Sequence, residues 1–467
     1  MSRLPLLACL AVLAAGLALP APASASRDQV VSFEARELLS DPDRDRTLDE
    51  IKAFGVERVR VLMRWSSIAP GRTSRAKPAF DAADPDAYPA AGWAPYDNLM
   101  RSAAARGIDV HVTLTGPAPR WATKGREAGP TLGLKDPIPA EFERFATAAG
   151  KRYGAQVKVW SIWNEPNQPQ FLLPQFRKGR AASPMLYRKL FQGAQDGLEA
   201  SGNGDDEILF GETSPRGNSR IVAPLAFLRG ALCLSGSYKR SKRCGRLDID
   251  GYAHHPYSRS TGPFARDPKP DNVTLSGLPR LTRALDRAVE AKAITRGAGI
   301  YLTEFGTESA PDPLAVSQSQ QAEFNAQSER LAYLNPRVRS FSQYLMTDDR
   351  RDADGSNNYG GFESGLRRND GRAKPAYDGF RTPLAVVDYG KSDVGWGLVR
   401  PAAGATTVTI EYRDRGAKAY RTLDRVRTNS RGVFGFKSGS PSGRRYRVRW
   451  TAPDGTVYTG PPIRSYR

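Results

Sequence analysis

Two glutamates stand where carboxyl groups can act as a pair. Val157-Lys158-Val159-Trp160-Ser161-Ile162-Trp163-Asn164-Glu165-Pro166-Asn167 is an apolar run that ends abruptly in polar residues and a proline, and Ile300-Tyr301-Leu302-Thr303-Glu304-Phe305-Gly306 ends in the same way. Each Glu therefore falls at the carboxyl end of an expected strand. Alone, either would read most simply as a strand-end carboxylate capping the next helix. Two in equivalent positions fit a chemistry that needs both: one group protonates a leaving oxygen while the other attacks or activates water, as glycosidic bond cleavage requires.

For such a pair to meet, the chain must bring distant strands to one face. Between about residue 28 and residue 380, short β-branched runs alternate with longer amphipathic ones, the pattern of repeated strand-helix units around a parallel sheet. Eight strands are expected: 30–33, 56–63, 108–115, 157–164, 207–212, 249–254, 299–305 and 338–346. Helices are expected between them at 96–105, 141–153, 184–200, 278–293 and 317–334. Eight units of this length suit an α/β fold of the (β/α)₈ barrel type. An open doubly wound sheet is the alternative, but no glycine-rich phosphate fingerprint follows the first strand. In a barrel the carboxyl ends of all strands share one face, so Glu165 on strand four and Glu304 on strand seven would open on one cleft.

The motifs then become recognisable. Trp163-Asn164-Glu165-Pro166 with Thr303-Glu304-Phe305-Gly306 resembles the acid/base and nucleophile signatures of clan A glycoside hydrolases, retaining (β/α)₈ enzymes that include family 5 cellulases and family 39 relatives. The likeness covers residues 28–380 and extends to Val59-Arg60-Val61, Trp65, His255-Pro256-Tyr257 and Lys374-Pro375-Ala376-Tyr377. It implies Glu165 as general acid/base and Glu304 as the nucleophile that forms a glycosyl-enzyme intermediate. Arg60 and Tyr257 are then candidate donors to Glu304. Asn164 resembles the residue that hydrogen-bonds the sugar 2-hydroxyl, and His255 a substrate-side histidine. Two departures point to a divergent member: strand three ends in Thr115-Gly116-Pro117 where many relatives place a histidine, and strand eight reads Gln343-Tyr344-Leu345-Met346 where many place a tryptophan. Tyr344 is accordingly carried as a substrate-binding residue.

Trp65 and Trp121 follow strands two and three. They either stack on sugar rings or pack over the barrel rim. The histidines do not suggest a metal: His111, His254 and His255 are the only three, and their spacing lacks the ligand set of a zinc site. His111 and His254 read as satisfied core residues. No cofactor is expected.

Residues 1–25 read as a secretory signal peptide, with Arg3 before the apolar run 4–19 and a cleavage signal at Ala23-Ser24-Ala25. A membrane anchor is the rival reading, but the run is short for a bilayer span and no later segment is apolar enough to make one. In an oxidising compartment Cys233 and Cys244 would pair across a Ser/Lys/Arg-rich loop. The barrel would occupy residues 26–382. After Pro383 the texture changes to alternating strands at 406–412, 433–437, 446–451 and 456–459 with turn signals between them, an all-β sandwich of residues 383–467. Trp396 and Tyr389 are its candidate glycan-facing aromatics, unless the domain simply packs on the barrel.

With 40% hydrophobic residues, 69 Lys and Arg, and 49 Asp and Glu, the chain is globular and strongly basic, at a net charge of +20. From Leu384 onward 16 Lys and Arg face 6 Asp and Glu. Alternating Arg445, Arg447 and Arg449 fit the solvated face of a strand better than a specific nucleic-acid site, and loose association with an anionic cell envelope is compatible with the charge. The expectation is a secreted retaining glycosidase acting on an extracellular polysaccharide or oligosaccharide. The rival is a noncatalytic glycan- or envelope-binding protein on the same barrel.

Overall fold

The computed structural model describes residues 26, 29–125, 129–242, 244–258, 260–295, 297–349 and 361–467; the expected signal peptide lies outside them. Eight parallel strands close into a barrel: β1 (Val30–Glu34), β2 (Arg58–Arg64), β3 (Asp109–Thr115), β4 (Val157–Ile162), β5 (Glu207–Thr213), β6 (Gly251–His254), β7 (Gly299–Phe305) and β8 (Val338–Tyr344), with β1 pairing both β2 and β8. Most of their residues are buried because both faces are covered, by interior side chains and by the helices outside.

Those helices are α1 (Arg44–Ala53), α2 (Ala90–Ala104), α3 (Pro139–Tyr153), α4 (Ser183–Ala200), α5 (Pro224–Ala231), α6 (Leu278–Glu290), α7 (Gln318–Tyr333) and α8 (Pro375–Arg381). Several begin with proline in the first turn, where no intrahelical N–H is lost. In α6, Leu278, Leu281, Ala284, Leu285 and Ala288 are buried at three- and four-residue spacing, the stripe that seats a helix on the barrel. α7 starts with a reciprocal capping box between Ser317 and Gln320. Cys233 and Cys244 form a disulfide in the segment after α5. Among the described residues no helix is long and apolar enough to cross a membrane.

The second domain has eight strands: β9 (Leu384–Asp388), β10 (Ser392–Leu398), β11 (Thr407–Arg413), β12 (Arg421–Arg427), β13 (Val433–Gly439), β14 (Arg445–Thr451), β15 (Val457–Thr459) and β16 (Ile463–Tyr466). They pair in the order β12-β11-β14-β16-β9-β10-β13, mostly antiparallel, with β15 beside β14. Both halves of this path feed one core, Leu384, Val386, Phe434 and Phe436 from one side and Val408, Ile410, Val448 and Trp450 from the other. The domain is fastened to the barrel. Trp396 packs on Tyr333 of α7 with ring centroids 5.5 Å apart, and Arg400 pairs with Glu329 of α7 where both side chains are buried. Trp396 is thus a packing residue, while Tyr389 is exposed.

Candidate active site

Barrel register sets the first contacts. Glu34, the last residue of β1, lies opposite Arg60 of β2 on one side and Tyr344 of β8 on the other. Arg60 is fully buried and reaches across the barrel interior: its guanidinium donates to Glu34, to Glu212 at the end of β5 (2.6 Å), to Glu304 (3.1 Å) and to Asn164 Oδ1 (2.9 Å), while its Nε donates to Thr113 Oγ1 (3.0 Å). His255, just past β6, is the second hub. Its Nε2 lies 2.7 Å from Glu212, and its Nδ1 lies 3.0 Å from Glu165 Oε1 and 3.6 Å from Glu304 Oε2. Tyr257 donates its hydroxyl to Glu304 Oε1 at 2.6 Å, and Gln168 donates to Glu165 Oε2 at 2.6 Å.

Two buried cations therefore serve four carboxyl groups. Exposure separates the roles: Arg60, Glu212 and His255 are 0% exposed, whereas Glu165 and Glu304 each keep 8% of their surface open. That surface lines a cavity of about 660 Å³, together with Glu34, Asn164, Tyr257, Tyr344 and Phe362. The backbone turns sharply to present them: Trp163, Glu165 and Glu212 adopt left-handed φ values of 64°, 38° and 49°. Side-chain residues hold such conformations only where surrounding contacts enforce them, at about 1–3 kcal/mol each.

Protonation follows from this crowding. Burial raises the Glu165 pKa, His255 opposes the rise, and the Glu304 charge adds to it. Burial also disfavours a charged His255, but Glu304, Glu165 and Glu212 outweigh it and push the imidazole up to about 10. Glu34 is raised to about 7, mainly by burial. Glu212 is burdened by burial, yet Arg60 and His255 hold it below the usual carboxylate range. The arrangement sets Gln168 and His255 against Glu165 on one side of the cleft and aims the Arg60 and Tyr257 donors at Glu304 on the other.

Of the candidate residues from the sequence, Arg60, Asn164, Glu165, His255, Tyr257, Glu304 and Tyr344 come together here. Trp65 and Trp121 do not. Trp65 is fully buried and stacks on Phe145 of α3 with centroids 5.7 Å apart. Trp121 lies edge-on to Trp65 and donates its indole N–H to the Pro70 carbonyl. Both fill the layer between strands and helices, because that gap needs large apolar volume, and neither lines the cavity. His111 bonds Ser161 Oγ, and His254 bonds Thr213 and the Val273 carbonyl, as satisfied core histidines. Glu34, Glu212 and Gln168 were not singled out from the sequence. The first two also end barrel strands, which was the available signal.

No protein-family model and no curated protein sequence matches the chain. Solved structures do. A glucosidase from Croceicoccus marinus aligns with a TM-score of 0.52 at 12% identity, over 92% of this chain and 96% of that one. A GH39 enzyme from Xanthomonas axonopodis pv. citri aligns with a TM-score of 0.51 at 15% identity, over 94% and 95%. The chain shares their fold. The aligned share of this chain exceeds the barrel alone.

Proposed function

We propose that this protein is a retaining glycoside hydrolase of clan A that cleaves O-glycosidic bonds of an extracellular polysaccharide or oligosaccharide. The observation carrying this reading is that Glu165 and Glu304 open on the same cavity while both approach one ring nitrogen of His255. The distances to that nitrogen bound the gap between the nearest carboxylate oxygens. The bound admits the spacing of about 5–5.5 Å used in double displacement and falls short of most of the 6.5–9.5 Å range of inversion. The fold shared with a glucosidase and a GH39 enzyme supports the same reading.

In this mechanism Glu165 protonates the departing glycosidic oxygen as Glu304 attacks the anomeric carbon. Arg60 and Tyr257 donate to Glu304 and keep it aimed. Burial is the main cause of the raised Glu165 pKa, and once the glycosyl-enzyme bond has neutralised Glu304, the part of the rise that came from its charge is gone. Glu165 then becomes the base that takes a proton from the incoming water. Asn164, held by Arg60, is positioned to bond the substrate beside the reacting carbon. Action outside the reducing cytoplasm is supported by the Cys233–Cys244 disulfide.

Screening aryl glycosides and polysaccharides identifies the substrate, and proton NMR then reads the anomer released first. Retention is expected, and an inverted first product would overturn double displacement.

A further inference from the structure

Cross-strand pairing in the β domain produces a row of like charges. Arg413 of β11 lies opposite Arg445 of β14, and Arg445 lies opposite Arg464 of β16, so three arginines stand side by side on three adjacent strands. All point away from the domain core, because their neighbours Tyr412, Tyr446 and Ile463 point into it. Like charges directly opposite one another destabilise a sheet. One step along the same strands the sheet avoids this: Glu411 faces Arg447 and pairs with it at 2.6 Å.

Two acids lie near the row, Asp414 and Glu323, fewer than its three arginines. Asp414 pairs with Arg444. Glu323 of α7 accepts the backbone N–H of Arg464, and burial raises its pKa despite Arg464 and Arg445. An open depression of about 520 Å³ runs over the row, lined also by Arg415 and the backbone of Gly416 and Gly443.

The row sits next to the catalytic cleft. Tyr466 of β16 stacks on Phe264 with centroids 4.4 Å apart, and the preceding residue, Pro263, lines the cleft. Glu323, bonded to Arg464, precedes Phe324, which lines it too. The arginine row and the cleft are thus linked through contacts of β16 with Phe264 and Glu323, each next in sequence to a residue that lines the cleft.

We propose that Arg413, Arg445 and Arg464 form a binding site for an acidic polysaccharide, whose carboxylate, sulfate or phosphate groups supply the negative charge this sheet face lacks. Guanidinium groups suit this task because each offers a planar fork of donors to an oxyanion. Strands spaced about 4.8 Å apart place the three forks at intervals close to the length of one sugar residue. That the polymer is a glycan rests on the glycosidase reading of the cleft; the anion site itself does not.

The test is binding of the full-length protein to polygalacturonate, with neutral dextran and duplex DNA as comparison ligands, measured by affinity electrophoresis and calorimetry apart from any turnover. Polygalacturonate is expected to bind, to be lost between about 0.05 and 0.2 M salt, and to bind better than either comparison ligand. The Arg413→Ala/Arg445→Ala/Arg464→Ala triple variant is expected to weaken it about tenfold or more, and Arg464→Ala alone about threefold. Hydrolysis of small aryl glycosides should be unchanged in both. The variant Arg101→Ala/Lys151→Ala/Lys189→Ala removes the same charge from the barrel helices and is expected to retain binding. Equal binding of dextran, tighter binding of DNA, or an equal loss in the barrel variant would overturn the proposal. Failure of the glycosidase reading would show instead as absent turnover with this binding intact.

Discussion

His255 is held between three carboxylates and titrates far from an ordinary histidine. With its value raised from 6.5 to about 10, the stabilisation from its positive charge is complete below pH 6.5 and is lost as pH rises through 10. Glu212 has the opposite sign. Its lowered value adds stability above its ordinary 4.5, and that contribution is lost only as acid reaches the depressed pKa. The site is therefore expected to be most robust between the two limits and to loosen first on the alkaline side. An NMR titration of the His255 ring should find it still protonated at about pH 8.5 in the wild type and titrating lower in Glu212→Gln. A wild-type ring that titrates near 6.5 would show that the charge network does not operate. At this scale the motif residues Glu165 and Glu304 were legible because strand ends and prolines mark them. Glu34 was missed because the first strand was read one residue short, and Glu212 because it ends its strand without a surrounding motif. Trp65 and Trp121 follow strands as sugar-stacking residues would, and only packing tells the two uses apart.

All eight barrel strands were legible from their apolar runs, which is what burial on both faces writes into a sequence. The β domain was less so. β12 is an edge strand whose Arg421-Thr422-Leu423-Asp424-Arg425-Val426-Arg427 has no fully buried residue, so little alternation marks it. β10 carries Gly395 and Gly397, and both serve packing. The rings of Phe436 and Phe434 lie over them, and a Cβ would stand 2.0 Å from the first ring and 2.2 Å from the second. Gly395→Ala is therefore expected to displace Phe436 and cost about 1–3 kcal/mol, measurable by chemical denaturation. A loss below about 0.5 kcal/mol would show that the ring shifts freely. The helices α1, α5 and α8 are implied by eight strand-helix units but have no bounds legible in the sequence: they are short, and packing rather than a long periodic stretch sustains them.

The barrel and β domain share buried contacts, so they are expected to unfold together. The Arg400–Glu329 pair is enclosed on both sides, and removing one partner leaves a buried charge unmatched, a loss of about 3–5 kcal/mol. Calorimetry should show one transition in the wild type, and Arg400→Met should lower it or split it in two. Two independent transitions already in the wild type would contradict a shared interface. The whole fold exists, on this account, to hold a proton donor and an attacking carboxylate across one sugar-sized hollow. The most direct measurement is the turnover of Glu304→Gln on the substrate identified by screening. The account predicts a loss of about 10⁴-fold or more with the fold intact, and turnover within about tenfold of wild type would contradict it.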